Sequence, residues 1–425
     1  MKFITRKSTL SGSLTIPGSK SHTIRGLLFA TLADGTSRLL RPLDSSDTRS
    51  CVQACTALGA DVATGSDDCW EIRGTAGSPV APDAAVNVGN SGTTLFLAMS
   101  AAALGNGLTE FTGDQQTRRR DASPLLGALS KLGATARSVK GNGCAPLIVG
   151  GGLKGGNVSI KCPTSQYLSS LLLGCPLAER DSDISVPLLH EKPYVGMTCQ
   201  WLEELGVSVE CTDGYSRIHV PGGQRYHAFE RVIPADFSSA TFFLVAAAIT
   251  GSELMLRGLD MNDSQGDKAV VGMLRQMGCS VDEDSEGLWI RGPDRLQGAS
   301  FDLNATPDAL PAMAVAGCAA EGTTRLTNVP QARMKETDRI WVMSRELSKM
   351  GGEISELPDG VEIEGTTLEG AEVNGHCDHR VIMALSVAGL AAGGRTVVDT
   401  AEAVDVTFPD FHALMREAGA DIESS

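Results

Sequence analysis

Six times along this chain a helical pattern ends in an apolar residue, a glycine and a short β-like run: VQACTALGADV, LLGALSKLGATA, TCQWLEELGVSV, VVGMLRQMGCSV, VMSRELSKMGGEI and ALMREAGADI. The glycines are Gly59, Gly133, Gly206, Gly278, Gly351 and Gly419, and subtraction gives spacings of 74, 73, 72, 73 and 68 residues. A repeat at so regular a spacing means one supersecondary unit copied along the chain. Each glycine sits where a helix needs a residue at positive φ to stop before the next strand.

A second set of segments interleaves with the first: TIRGLLFATLADGT, TTLFLAMSAAALGNG, QYLSSLLLGCPLAE, ATFFLVAAAITGS, LPAMAVAGCAAEGT and VIMALSVAGLAAGG. These are apolar nearly all round and predict buried helices, whereas the first set is amphipathic and half exposed. Each unit therefore supplies one buried and one outer helix with β-rich stretches such as RVIPA and GLWIRG between them. At 425 residues the chain is too long for one core. A six-unit solenoid would need a polar capping repeat at each end, and none is present. Two domains of three units follow, with the loop-like PGGQRYHAFERVIPAD as the crossover.

The formal charge of −15 opposes nucleic acid or an anionic membrane as partner, so any anion must be bound locally. Eleven cysteines without a C-x-x-C pair signal neither a disulfide framework nor a zinc site, and they fit a reducing cytoplasm. No apolar run is long enough to cross a bilayer, and the start MKFITRKSTLSGS lacks a signal-peptide core. A cytoplasmic location is the expectation.

The buried helices begin at GSKSHTIR, GNSGTT, CPTSQY, DFSSAT, TPDALP and CDHRVI, all polar. Helix starts offer unbonded N–H groups and positive dipole ends, which suit anions, although such residues also serve simply as caps. DFSSAT, which no cation accompanies, reads as a cap. Lys20, Arg25 and Arg380 add charge that capping does not require. The loops before outer helices add TRRRDASP, HEKPYV and ARMKETDRI. Lys335 and Arg339 are spaced i, i+4 on one face, which a solvated ion-pair face would also explain. Where equivalent loops of several units converge, Arg120, Lys335, Arg339 and Arg380 form a cation cluster that needs anions to fill it. Gly18-Ser19-Lys20-Ser21 is not a Walker A loop, and Gly150, Gly152 and Gly155 precede strand-like residues rather than a helix. His22 and His379 flank the cationic motifs without three-ligand metal spacing.

These segments resemble the EPSP synthase family, the 3-phosphoshikimate 1-carboxyvinyltransferases among the enolpyruvyl transferases, across nearly the whole chain. PGSKSHTIR, GNSGTT, the arginine loop ending at Arg120, TSQYL, KPY, QGD, the PD of Asp308, RMKETDRI, DHR and TFPDF occur in the family's order. The resemblance implies an α/β fold: a two-domain inside-out α/β barrel, each domain built of three β-α-β-α-β-β repeats. Residues 1–17 and 228–425 would form one domain and 18–227 the other, with the active site in the cleft between them.

The resemblance also implies roles. Lys20, Ser21, Arg25, Thr164, Ser165, Gln166, Tyr194, Asp308, Gln331 and Lys335 should bind shikimate 3-phosphate. Lys20, Gly92, Arg120, Arg339 and Arg380 should bind phosphoenolpyruvate. Asp308 looks like the base at the 5-hydroxyl and Glu336 the proton donor to the vinyl carbon, with Lys20 a third catalytic residue; the implied chemistry needs no metal or organic cofactor, and a monomer is the expectation. A small residue at Gly92 should leave room for glyphosate, the family's phosphoenolpyruvate-competitive inhibitor. Thr164, Phe96, Asp121, Gln331, Glu191 and Val406 depart from the family pattern, Glu191 standing where serine is common. Two rival readings are the sister transferase acting on UDP-N-acetylglucosamine and a non-catalytic anion-binding homologue. Against the first, no cysteine lies between Cys69 and Cys144 and Lys20 is followed by Ser21.

Overall fold

All six repeat glycines lie at positive φ: 101° at Gly59, 100° at Gly133, 70° at Gly206, 106° at Gly278, 83° at Gly351 and 97° at Gly419. Each ends its helix in the same way. The Gly206 N–H donates to the Glu203 carbonyl at 2.9 Å and the Val207 N–H to the Leu202 carbonyl at 2.8 Å, and the other five sites repeat this pair of bonds. This is the Schellman arrangement, in which a left-handed residue turns the chain so that otherwise orphaned carbonyls are bonded.

The computed structural model describes residues 1–66 and 68–425. Its helices are α1 (Lys20–Leu32), α2 (Ser46–Ala57), α3 (Gly92–Ala103), α4 (Ser123–Lys131), α5 (Ser165–Gly174), α6 (Lys192–Glu204), α7 (Phe237–Thr250), α8 (Ala269–Gln276), α9 (Leu310–Cys318), α10 (Arg339–Lys349), α11 (His379–Gly389) and α12 (Phe411–Glu417). The odd-numbered helices are buried along almost their whole length, as their all-round apolar sequences predict. The even-numbered ones bury one face each, for example Val195, Met197, Thr198, Trp201 and Leu202 of α6. No helix among the described residues is long and apolar enough to cross a membrane.

The chain divides into two units, Gly18–Ile233 and Met1–Pro17 with Pro234–Ser425, each with its own hydrophobic core. Each unit holds three four-stranded sheets of one design: a parallel pair extended by two antiparallel strands. In the first unit Gly156–Cys162 runs parallel to Ser182–Leu189, which pairs antiparallel with Arg217–Val220, itself flanked by Glu210–Cys211. In the other unit the N-terminal strand Phe3–Arg6 lies between Arg395–Val398 and Asp421–Ser424, antiparallel to both, so the start of the chain completes the sheet of the last repeat.

The crossover differs from the sequence expectation. The boundary falls at Ile233/Pro234 rather than 227/228. The cause is a strand inside the loop-like stretch: Glu230–Val232 pairs parallel with Thr36–Leu40, in register Glu230 with Arg38 and Val232 with Leu40. Arg231 adds a cation–π contact, its guanidinium 3.7 Å from the Trp201 ring centroid. Reciprocally, Ser13–Thr15 precedes α1 in the chain but pairs with Glu253–Arg257.

At Gly206 a Cβ would meet nothing within 4 Å, so any loss on substitution comes from backbone conformation alone. Gly206→Ala should destabilise its unit by about 1 kcal/mol and Gly206→Asn by less, since asparagine tolerates the left-handed region. Urea unfolding followed by fluorescence of the buried Trp70 and Trp201, both in this unit, is the check.

Candidate active site

In the unit Gly18–Ile233 the starts of α1, α3, α5 and α6 carry the predicted residues. Lys20 opens α1, and its Nζ lies 3.1 Å from Asp47 Oδ2 in the first turn of α2. Arg25, 2% exposed, sends Nε to Thr198 Oγ1 at 2.9 Å, Nη1 to the Ser21 carbonyl at 3.2 Å, and Nη2 to Ser169 Oγ at 3.3 Å and the Tyr194 carbonyl at 2.9 Å. All four acceptors are neutral. Burial pulls this guanidinium down to about 10, with no carboxylate among the forces opposing it. Such a charge invites an anion.

Arg120 follows the turn Thr117–Arg119, and its guanidinium lies over Gly92 at the start of α3. A Cβ on Gly92 would stand 2.2 Å from Arg120 Nη1. The group nearest that position is thus the Arg120 guanidinium, which a glycine admits. Gln166 Nε2 donates to Thr93 Oγ1 at 2.9 Å, joining the starts of α5 and α3. Thr164 caps α5, and with Ser165 it is bonded to Glu191, the left-handed N-cap of α6.

In the other unit one side chain organises the site. Arg339, 1% exposed at the start of α10, donates from Nε and Nη2 to both oxygens of Asp378 at 2.9 and 3.1 Å, from Nη2 to Glu336 Oε2 at 2.6 Å, and from Nη1 to Asp308 Oδ1 at 2.9 Å. Burial works against this charge, but Asp378, Glu336 and Asp308 together outweigh it and hold the guanidinium above its ordinary value. Asp308 also faces Arg380 Nη2 at 3.1 Å and Lys335 Nζ at 3.7 Å. Asp308, Lys335, Glu336, Arg339 and Arg380 are therefore one ion cluster. Gln331 is buried nearby in sequence, with Nε2 on the Asn304 carbonyl at 3.0 Å.

A carboxylate held among cations, a second carboxylate on the same guanidinium, and buried arginines suit proton transfer on a multiply anionic substrate. The family model described as EPSP synthase (3-phosphoshikimate 1-carboxyvinyltransferase) matches residues 4–415. The chain belongs to this family. It is 52% identical to the 3-phosphoshikimate 1-carboxyvinyltransferase of Acetivibrio thermocellus over 99% of this chain and 98% of that protein. It is 44% identical to the enzyme so named from Methanocella arvoryzae, over 98% of each. Its mixed α/β fold matches a solved EPSP synthase structure from Acinetobacter baumannii with TM-score 0.84 and 30% identity, covering 100% of this chain and 99% of that one.

Tyr167 joins two positions that depart from the family pattern, Phe96 through its ring and Asp121 through its backbone carbonyl. Phe96 meets Tyr167 edge to face at 5.1 Å, and the Tyr167 hydroxyl donates to the Asp121 carbonyl next to Arg120. Asp378 lies in the CDHRVI motif but has no role among the residues expected from sequence. It is fully buried, caps α11 through the Arg380 N–H at 3.0 Å, and grips Arg339 with both oxygens. The signal was available, because aspartate directly before a helix start is a cap whose second oxygen can serve a cation. Asp47 gave no such signal. Asp236 caps α7 by accepting from the Ser239 N–H at 3.0 Å, as read from DFSSAT.

Asp267, from the QGD motif, is buried with its carboxylate on Ser238 Oγ. Burial first and Asp308 second push it up to about 6 from 3.8, against the pull of Arg380 and Ser238. Between those values the folded chain holds a proton that the unfolded chain has released. Its contribution to stability therefore falls as pH rises from about 4 to about 6, and stays lower above. Asp267→Asn should melt higher than the parent at pH 7, with the difference shrinking toward pH 4; melting curves across that range are the check.

Proposed function

We propose that the chain transfers the enolpyruvyl group of phosphoenolpyruvate to the 5-hydroxyl of shikimate 3-phosphate, giving 5-enolpyruvylshikimate 3-phosphate and phosphate in the shikimate pathway to aromatic amino acids. The observation that carries this reading is the Arg339 node, which holds Asp308 on one terminal nitrogen and Glu336 on the other. The three four-stranded sheets of each unit support the further reading of each as an inside-out α/β barrel.

Adding an alcohol across an enol phosphate needs a base for the hydroxyl proton and an acid for the methylene carbon. Asp308 takes the 5-hydroxyl proton as that oxygen bonds to C2 of phosphoenolpyruvate, and Glu336, which enters this step as the protonated acid, delivers its proton to C3. In the second step C3 gives its proton back, the double bond re-forms, and the C2–O bond to phosphate breaks. Lys20, Arg120 and Arg380 hold the phosphate and carboxylate of phosphoenolpyruvate and stabilise the leaving phosphate, with Arg339 fixing the two carboxylates. Lys20, Ser21, Arg25, Thr164, Ser165, Gln166, Tyr194, Gln331 and Lys335 bind shikimate 3-phosphate.

The test is phosphate release from phosphoenolpyruvate with shikimate 3-phosphate or UDP-N-acetylglucosamine as acceptor. Release that depends on shikimate 3-phosphate is expected; release only with the sugar nucleotide moves the chain's activity to the sister reaction, and silence with both in folded protein overturns the catalytic reading. Asp308→Asn and Glu336→Gln should each lower kcat by roughly 10²- to 10⁴-fold. Gly92→Ala, which displaces Arg120, should raise KM for phosphoenolpyruvate while leaving the calorimetric Kd for shikimate 3-phosphate unchanged.

A further inference from the structure

Three donors at the start of α5 converge on one oxygen of an internal carboxylate. Glu191 Oε2 accepts from Thr164 Oγ1 at 3.1 Å, from the Ser165 backbone N–H at 3.1 Å and from Ser165 Oγ at 2.9 Å. A backbone N–H at a helix start together with two hydroxyls is what a phosphate oxygen takes from a protein. Glu191 is 2% exposed, so its carboxylate is part of the packed interior of this site.

The backbone is bent to achieve this. Glu191 lies at φ 58 and ψ 40 as the N-cap of α6, in the left-handed region that non-glycine residues rarely enter. The segment is fixed on both sides: the His190 N–H donates to the Cys162 carbonyl at 3.1 Å, and the Tyr194 carbonyl accepts from Arg25 Nη2 at 2.9 Å. Strain of this kind persists where surrounding contacts over-determine it, and it gathers at functional positions.

We propose that Glu191 is an internal competitor for the acceptor's phosphate: its carboxylate fills the 3-phosphate position of the ligand-free site and is exchanged for that phosphate when the acceptor binds. This inference rests on the reading of Thr164 and Ser165 as shikimate 3-phosphate ligands. A dianionic phosphate and the carboxylate cannot share the same three donors, because like charges at hydrogen-bonding separation repel in a buried site. The phosphate therefore binds only the fraction of molecules in which Glu191 has withdrawn, and its apparent affinity is lowered by that fraction. An acceptor without the phosphate leaves the carboxylate in place, so the residue weakens the binding of phosphorylated ligands alone.

Glu191→Gln keeps size and shape while removing the charge; Glu191→Ser removes the carboxylate and leaves a hydroxyl. For each, calorimetry gives the Kd for shikimate 3-phosphate and for inorganic phosphate, and steady-state assays give KM for each substrate. Both variants should bind shikimate 3-phosphate and inorganic phosphate about tenfold more tightly, with KM for phosphoenolpyruvate changed less than about twofold. Affinity for shikimate 3-phosphate that is unchanged or weaker in folded Glu191→Gln overturns the proposal and makes the carboxylate a cap or a ligand. Absence of phosphate release by the parent chain is a separate result that removes the underlying reading, and the inorganic phosphate affinities still decide whether Glu191 guards an anion subsite.

Discussion

Arg339 is a buried cation shared by three carboxylates, and it ties together the turns before α9, α10 and α11. Asp308, Glu336 and Asp378 come from three separate stretches of sequence, and each would be a costly buried charge on its own. Gathered on one guanidinium they become a fixed array, and Arg380 and Lys335 complete it through Asp308. Arg25 in the other unit is the opposite case. It is buried as deeply, yet its guanidinium donates to hydroxyls and carbonyls. The first cation is satisfied by the fold; the second waits for a charge the fold does not supply.

The repeat explains how both arrangements arise from one building plan. Five buried helices begin at a polar N-cap, Ser19, Ser91, Thr164, Asp236 and Asp378, and α9 has Ala309 as its N-cap, while each outer helix begins after a loop that returns from a strand. The unit thus delivers helix starts, with their N–H groups, to the same relative position each time. Variation at those positions then assigns chemistry without touching the scaffold. Thr164 and Ser165 open α5, Gly92 opens α3 to admit a guanidinium, and Asp378 opens α11 while holding Arg339.

Much of this was readable in the sequence for identifiable reasons. The six glycines announce left-handed caps because helix termination there demands positive φ, and the buried helices announce themselves because no polar face interrupts them. The β-rich RVIPA overlaps the strand Glu230–Val232 at Arg231 and Val232, but its pairing with Thr36–Leu40 is set by contacts distant in sequence and carries no local signal. Asp47 as partner of Lys20 was equally hidden inside a polar run that reads as an ordinary capping box. Glu191 could be recognised as a departure, but its grip on Thr164 and Ser165 depends on a left-handed backbone that nothing in HEKPYV signals.

The claim that Arg25 is a charge held in reserve for substrate is tested most directly by Arg25→Met, with calorimetric binding of shikimate 3-phosphate and the thermal midpoint measured together. Thr198 and Ser169 keep each other and the Tyr194 carbonyl as partners when the guanidinium is gone. The account predicts affinity lower by roughly 10- to 100-fold with a midpoint that does not fall, because a charged hydrogen bond to the ligand is lost while an uncompensated buried charge is relieved. Retained affinity with a lowered midpoint would contradict it, and would make Arg25 a structural cross-link between α1, α5 and α6.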